Sequence, residues 1–414
     1  MNSAPRLSDE QRLDWLQLIR SENIGPRTFR TLLNRFGAAA AALQALPELI
    51  RRNTSGRSIK MASRAEVEEE MTAAAALGVR FIALGEPDYP PPLRAIDAAP
   101  PLIAVRGQAR ALAEPAVAIV GSRNASAAGL AFTDRLARGL GRTGFVIVSG
   151  LARGIDLAAH RATLESGTIA VLAGGHGRPY PAEHAPLLDE IAEKGATVSE
   201  MPLNWEPRGR DFPRRNRIVS GLSLGTVVVE AARRSGSLIT ARFASDQGRE
   251  VFAVPGSPLD PRSEGTNDLL REGATLCTRV EDVESVLAPL LGRRPDDLFT
   301  ESEPPRGTQE KLWDELDLFD EGAEPSEAAP MLWSAEEEGS PRVPAAASAN
   351  GSAQPGGNGR AQLVSLLGPA PVNIDDLVRA MECPASEVRA LLFELEVAGR
   401  LARYCGDLVA LLPA

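Results

Sequence analysis

Lysine is nearly missing from this 414-residue chain: three occur, Lys60, Lys194 and Lys311, preceded by Ile59, Glu193 and Glu310. With no Gly-Lys pair, no Walker A loop can form, and a P-loop motor or kinase is excluded. Cysteine is equally scarce. Cys277, Cys383 and Cys405 are odd in number, far apart and without a CxxC pairing, which supports neither a disulfide framework nor a zinc knuckle and leaves buried thiols as the expectation. The three histidines, His160, His176 and His184, show no HExxH spacing, so metal-hydrolase chemistry is not expected. No apolar run reaches the roughly 18 residues of a membrane helix, and the opening MNSAPRLSDEQR is not followed by the apolar core of a signal peptide. A cytoplasmic protein with no membrane partner, metal or cofactor is the expectation.

What is present is a reversal of charge. The formal net charge is -10, yet the run RGRDFPRRNR sets Arg208, Arg210, Arg214, Arg215 and Arg217 within ten residues. Attraction to a polyanion depends on charge near the contact surface, so an acidic protein can still carry a basic docking site. Guanidinium groups offer a planar donor fork to phosphate, and Phe212 in the same run offers a ring on which a base can stack. The plain alternative is a solvated arginine turn.

Four regions follow from the patterning. In 1–70, Leu13, Leu16 and Ile19, then Phe29, Leu32, Leu33 and Phe36, recur at helical spacing around a break at Asn23 to Pro26. IGPRTFRTLLNRFG resembles a helix-hairpin-helix or SAM-like segment, either a helical cap or an auxiliary phosphate contact. In 71–291, short apolar runs alternate with amphipathic stretches, which predicts an α/β domain with a parallel sheet covered on both faces. Strands are expected at 117–120, 145–148, 169–172, 197–199, 226–229 and 250–254. Glycines at or near several of their ends should line one crevice. Residues 292–359 are rich in Pro, Glu, Ala, Ser and Gly and read as a linker, with Trp313, Leu316 and Phe319 as a candidate docking motif. Residues 360–414 read as three helices and two strands, a winged-helix arrangement. Its third helix carries Glu387, Glu394 and Glu396 against Arg389, which disfavours strong groove binding.

Six motifs occur in order: VAIVGSR at 117–123, SGLARGID at 149–156, YP at 180–181, FPRRNRIVSGLS at 212–223, VVVEAARRSGSLITA at 227–241 and REVFAVPG at 249–256. Together they resemble the DprA/Smf family, DNA processing protein A, and the flanking stretches 88–107 and 263–274 fit the same pattern. The resemblance implies a Rossmann-like doubly wound sheet that binds single-stranded DNA and loads the RecA recombinase onto it in natural transformation. It also implies action on strands covered by single-stranded-DNA-binding protein, and a homodimer formed through the Rossmann-like domain. Val283, Val286 and Leu287 are candidates either for that dimer surface or for core.

Each motif has a physical task. Gly121 permits close backbone approach while Ser122 and Arg123 supply a hydroxyl and a guanidinium. The resemblance makes Arg123 a phosphate contact; a surface ion pair is the alternative. Ser149, Gly150 and Gly154 are expected to bring backbone N–H groups and a tight turn to the crevice. Asp156 would repel DNA and is expected to cap or brace an arginine. Phe212 is expected to stack bases and Arg214, Arg215 and Arg217 to track the backbone, with one of them left to pair with Glu230 or Asp211. Asn216 bonds a phosphate or fixes the turn. Gly236 and Ser237 form a second phosphate nest, or Ser237 is a helix cap. Arg208 and Arg210 stand in for a lysine usual before the FPxRN motif. The loop VLAGGHGRPYPAEH departs from the family pattern, with Gly177 for an aspartate and His184 for an asparagine.

Two other classes compete. SLGTVVVEAA loosely resembles the PGGxGTxxE signature of nucleotide phosphoribohydrolases, with Glu230 as the acid, but the Gly-Thr to Glu spacing is one residue too long. A strand-end brace is the other role for Glu230. A NAD-dependent oxidoreductase lacks its GxGxxG after the first strand.

Overall fold

Ser8 and Ser63 each start a helix by the same device. Each hydroxyl accepts the N–H three residues on, and Gln11 or Glu66 reaches back to the capping N–H, so two otherwise orphaned donors are satisfied at each end. The resulting α1 (Asp9–Arg20) and α4 (Arg64–Ala76) bracket α2 (Pro26–Phe36) and α3 (Ala39–Arg52). Leu18, Phe29, Leu32 and Leu46 fill the helical core, with Trp15 edge-on to Phe29 at 4.9 Å. The boundary expected at residue 70 falls inside α4. That helix continues to Ala76 because Val67 and Ala74 bury against the adjoining sheet. The computed structural model describes residues 6–52, 60–291, 357–368, 371–398, 400–404 and 407–412.

The central domain follows as β1 (Val79–Ala83), α5 (Pro91–Arg94), β2 (Leu102–Gly107), β3 (Ala116–Val120), α6 (Ala127–Arg142), β4 (Val146–Ser149), α7 (Ile155–Thr163), β5 (Thr168–Val171) and α8 (Ala185–Lys194). It continues with β6 (Ala196–Ser199), α9 (Asp211–Gly221), β7 (Gly225–Val228), α10 (Gly236–Asp246), β8 (Glu250–Ala253), α11 (Glu264–Arg271), β9 (Thr275–Leu276) and α12 (Val280–Leu287). All six expected strands are present, within one sheet of order β1-β2-β6-β5-β4-β3-β7-β8-β9. The expected parallel sheet holds for the seven neighbouring strands from β6 across to β9, and at the other edge β1 pairs antiparallel with β2 and β2 with β6. The 84–101 connection holds only the four-residue α5, and without a packed crossover helix the chain returns in the opposite sense.

Strands covered on both faces should be apolar throughout, and β3, AVAIV, is buried at every position. On one face Leu136 and Leu140 of α6, Ile155 of α7 and Leu287 of α12 pack on Val117, Ile119 and Ile147. On the other, Ile218 and Val219 of α9, Leu222 just after it, and Ala241 and Ala244 of α10 cover Ala118, Val120 and Val148. The sheet is therefore doubly wound. Val283 and Leu287 are fully buried, which makes them core of the two readings left open, and Val286 packs partly buried against their cluster. Successive strands run outward from β3 through β4 and β5 to β6, then restart on its other side with β7, which puts the topological switch point at the carboxyl ends of β3 and β7.

The C-terminal domain comprises α13 (Gly357–Leu366), β10 (Val372–Asn373), α14 (Ile374–Met381), α15 (Ala385–Val397), β11 (Leu401–Tyr404) and β12 (Leu408–Leu411). Three strands pair, one more than expected, in the order β10-β12-β11. The domain rests on the start of α6, where Ala127 and Leu130 join its core. Arg262, gripped by both Asp260 oxygens, donates to the carbonyls of Ser365 and Leu367 at the end of α13, which satisfies groups a helix C-terminus leaves open. Of the expected linker, 292–356, including Trp313, Leu316 and Phe319, lies outside the described residues, and so does Cys405. Cys277 is buried and Cys383 partly exposed. Among the described residues no helix is long and apolar enough to cross a membrane, and no group of metal-ligating side chains gathers.

Candidate nucleic-acid interface

The loop after β3 is held from below. Ser126 caps α6 by accepting from the Gly129 N–H, and Glu230, just beyond β7, accepts from both the N–H and the hydroxyl of Ser126 at 2.9 and 2.5 Å. Any Cβ on Gly129 would lie 2.6 Å from that carboxylate. Burial pushes the Glu230 carboxyl above its ordinary range and the bonds from Ser126 oppose it. Glu230 therefore clamps the switch point together, in the bracing role, with both oxygens turned onto α6. Arg123 stands exposed on the loop so fixed and forms no ion pair among the described residues.

The loop after β4 is shaped by close approach. Gly154 sits at φ +75° with its α-carbon against the Ser122 carbonyl, where no side chain fits. Leu151 adopts φ +58°, a conformation costly for a branched residue. Its flanking N–H groups, at Gly150 and Ala152, donate to Asp156 at 3.0 and 3.4 Å, and its carbonyl accepts from His184 Nδ1 at 2.9 Å. Asp156 is buried, which raises its carboxyl, while Arg215 acts to lower it. The bracing role expected for Asp156 is what its geometry provides.

Asp211, fully buried at the start of α9, accepts from Trp205 Nε1 and the Arg208 N–H, both at 2.8 Å, and lies 3.9 Å from Arg214. It closes the 205–211 segment into a rigid turn. Phe212 follows and meets two residues from distant parts of the chain. The Arg123 guanidinium lies over its ring at 5.2 Å, and Tyr180 packs edge-on with centroids 5.5 Å apart. Arg208 lies over Trp205 at 5.0 Å, and Arg208 and Arg210 are exposed on the same segment.

Two arginines of this run do not face solvent. Arg215, 6% exposed, turns inward and donates to the carbonyls of Gly150 and Val171 at the ends of β4 and β5. Burial lowers its guanidinium to about 10, with Asp156 opposing. Arg217, 2% exposed, donates to the Ala98 carbonyl and pairs with Glu200. Both are corrected from backbone-tracking contacts to internal staples, because α9 lies on the sheet and these positions fall on its inner side. Asn216 donates to the Gly236 carbonyl and accepts from Arg215, tying α9 to α10. Ser149 is fully buried with its hydroxyl on the Ile119 carbonyl, so it joins β4 to β3 and does not line the crevice. Gly150 is likewise buried, beneath the Arg215 guanidinium.

At α10 the cap is Ser235, which accepts from the Ser237 N–H; Ser237 is buried and shares a hydrogen bond with that hydroxyl. Gly236 is exposed, with open space where a Cβ would project. Gly121 and Ser122 are half-buried behind Arg123. At Gly177 an aspartate's Cβ would press on Asn204 and the Leu203 carbonyl, and His184 holds Leu151 as described. The departures thus serve local packing. Sequence reasoning did not single out Tyr180, Trp205, Ser126 or Ser235; the YP pair lies within the resemblance, but periodicity gives no sign that its ring is exposed.

All three histidines are buried. Burial pushes His160 down from 6.5 to about 3 and His176 to about 4. A depressed folded value means that the unfolded chain takes up the proton first, so the stabilising difference is whole above pH 6.5 and is lost as pH falls toward the folded value. His160→Gln should therefore flatten the pH dependence of stability between pH 6.5 and 5 by about one proton, roughly 1.4 kcal/mol per pH unit. Urea melts of both proteins across that window give the slopes, and equal slopes would contradict the assignment.

A doubly wound α/β domain that gathers arginines and aromatic rings near its glycine-lined strand ends, with a helical module before it and a winged helix after it, defines a Rossmann-like protein of three-part build. Comparison with known sequences is specific: the family described as DNA recombination-mediator protein A matches residues 80–288, a DprA-like N-terminal HHH domain matches 9–73, and a DprA winged helix domain matches 345–407. The chain belongs to the DNA recombination-mediator protein A family. It is 48% identical to Protein Smf of Escherichia coli over 198 residues, 47% of this chain and 53% of that protein. It is 42% identical to DNA processing protein DprA of Bacillus subtilis over 209 residues, 50% of this chain and 70% of that protein. The X-ray structure of DprA from Streptococcus pneumoniae superposes with a TM-score of 0.52 at 36% identity, covering 60% of this chain and 81% of that one.

Proposed function

We propose that this protein binds single-stranded DNA along the edge formed by Arg123, Phe212, Tyr180, the Arg208–Arg210 turn and the start of α10, and that it delivers the strand to the RecA recombinase. The observation that carries this reading is the meeting of Arg123 and Phe212, from motifs 89 residues apart, at 5.2 Å on an exposed edge. A guanidinium beside an aromatic ring serves an unpaired strand, because one holds the phosphate and the other any base. Arg214, the arginine of the run that pairs with Asp211, has a side chain 17% exposed and is retained as a further phosphate contact, and Gly236 supplies an open helix start for a phosphate. The internal residues Ser149, Gly150, Arg215 and Arg217 support this edge from beneath.

Delivery to RecA, action on strands covered by single-stranded-DNA-binding protein, and homodimerisation through the Rossmann-like domain are supported by family membership. On strands precoated with single-stranded-DNA-binding protein, this chain should shorten the lag of RecA filament assembly, and Arg123→Ala should restore the lag. An unchanged lag with the wild-type protein would remove RecA loading from the proposal and leave strand binding in place.

A further inference from the structure

We infer that Tyr180 is the outer base-stacking face of this interface and that Phe212 is the inner ring supporting it. The inference rests on the single-strand reading and assigns it a residue that the sequence did not. Phe212 is only half-exposed, and two neighbours already occupy it: the Arg123 guanidinium over the ring and Tyr180 against it at an interplanar angle of 64°. Tyr180 is 51% exposed. Of the two rings, it presents more surface to an incoming base.

Its exposure is built in by the loop. The Gly175 N–H donates to the Trp205 carbonyl at 3.0 Å and the Gly177 N–H to the Leu203 carbonyl at 2.8 Å, which zips the preceding residues to the 203–205 segment. After the tyrosine, the His184 N–H donates to the Pro181 carbonyl at 3.0 Å, and Glu183 pairs with Arg153 at 2.6 Å. The ring is thus held outward between two anchored segments. An apolar face kept in water by a fixed backbone loses little freedom when a base covers it, which favours stacking. Tyr180, Phe212 and Arg123 form a continuous row, so a base on the first lies two contacts from a phosphate on the last.

The test uses full-length protein and two oligonucleotides with the same number of phosphates, one of oligo-dT and one of abasic sugars. Wild type should bind both with a similar salt dependence and prefer oligo-dT. Tyr180→Ala should lose about 5- to 10-fold in affinity for oligo-dT and nothing for the abasic strand, while Tyr180→Phe keeps wild-type affinity for both. Equal loss on both strands would make the ring a purely structural support, and no loss on oligo-dT would make it irrelevant; either overturns the inference and leaves strand binding intact. Wild type that binds neither strand in a salt-dependent way would overturn the single-strand reading itself. Thermal melts of the variants confirm that the fold is retained.

Discussion

Arg215→Ala should lower folding stability by about 2–5 kcal/mol, because two buried carbonyls lose a charged donor at about 1–3 kcal/mol each. The guanidinium bonds the carbonyls that end β4 and β5, and its charge lowers the buried Asp156 carboxyl. Without it, two carbonyls lose their donor and Asp156 loses the charge that offsets its burial. The strained turn at Leu151, which Asp156 holds from both sides, should loosen with it. Urea unfolding followed by circular dichroism measures this directly. Arg215→Ala that unfolds like the wild type yet loses DNA affinity would instead make Arg215 a phosphate contact, the role its place in the basic run suggests.

Arg123→Ala is expected to do the opposite: to leave stability within about 0.5 kcal/mol, as for an exposed site, and to weaken oligonucleotide binding about tenfold or more at low salt. The salt slope should fall by about 0.7, the loss of one phosphate contact on a single strand. The side chain is exposed and, among the described residues, its aromatic contact is Phe212, so its removal uncovers a ring without opening the core. Affinity measured across a salt series is the test, and a slope identical to the wild type would show that Arg123 neutralises no phosphate.

Together the two arginines mark the limit of what the sequence reveals. Most of the six central strands are legible because they are short, largely apolar runs with turn residues beside them, as burial on both faces favours; β6, ATVS, instead buries the polar Thr197 and Ser199. β1 and β2 carry the same signal, in FIAL at 81–84 and LIAV at 102–105, but their antiparallel return depends on contacts far along the chain. Of the arginines, one carries a local sign. Asp211, Arg215, Ile218 and Leu222 recur at helical spacing and are all buried, which places Arg215 on the apolar stripe of α9. Arg217 has no such mark. Its partners, Ala98 and Glu200, are brought to it by the tertiary fold alone.

The glycines at neighbouring strand ends carry a wider consequence. Gly121 lies where a methyl would stand 2.7 Å from Ile155, Gly150 lies under Arg215, and Gly154 lies on the Ser122 carbonyl. Backbone packed this closely leaves no rotamers to freeze, so on the proposed single-strand reading little of the grip would go into ordering the layer beneath the edge. A methyl added at Gly121, Gly150 or Gly154 would therefore have to displace a packed neighbour, and the loops carrying Arg123 and Leu151 with it.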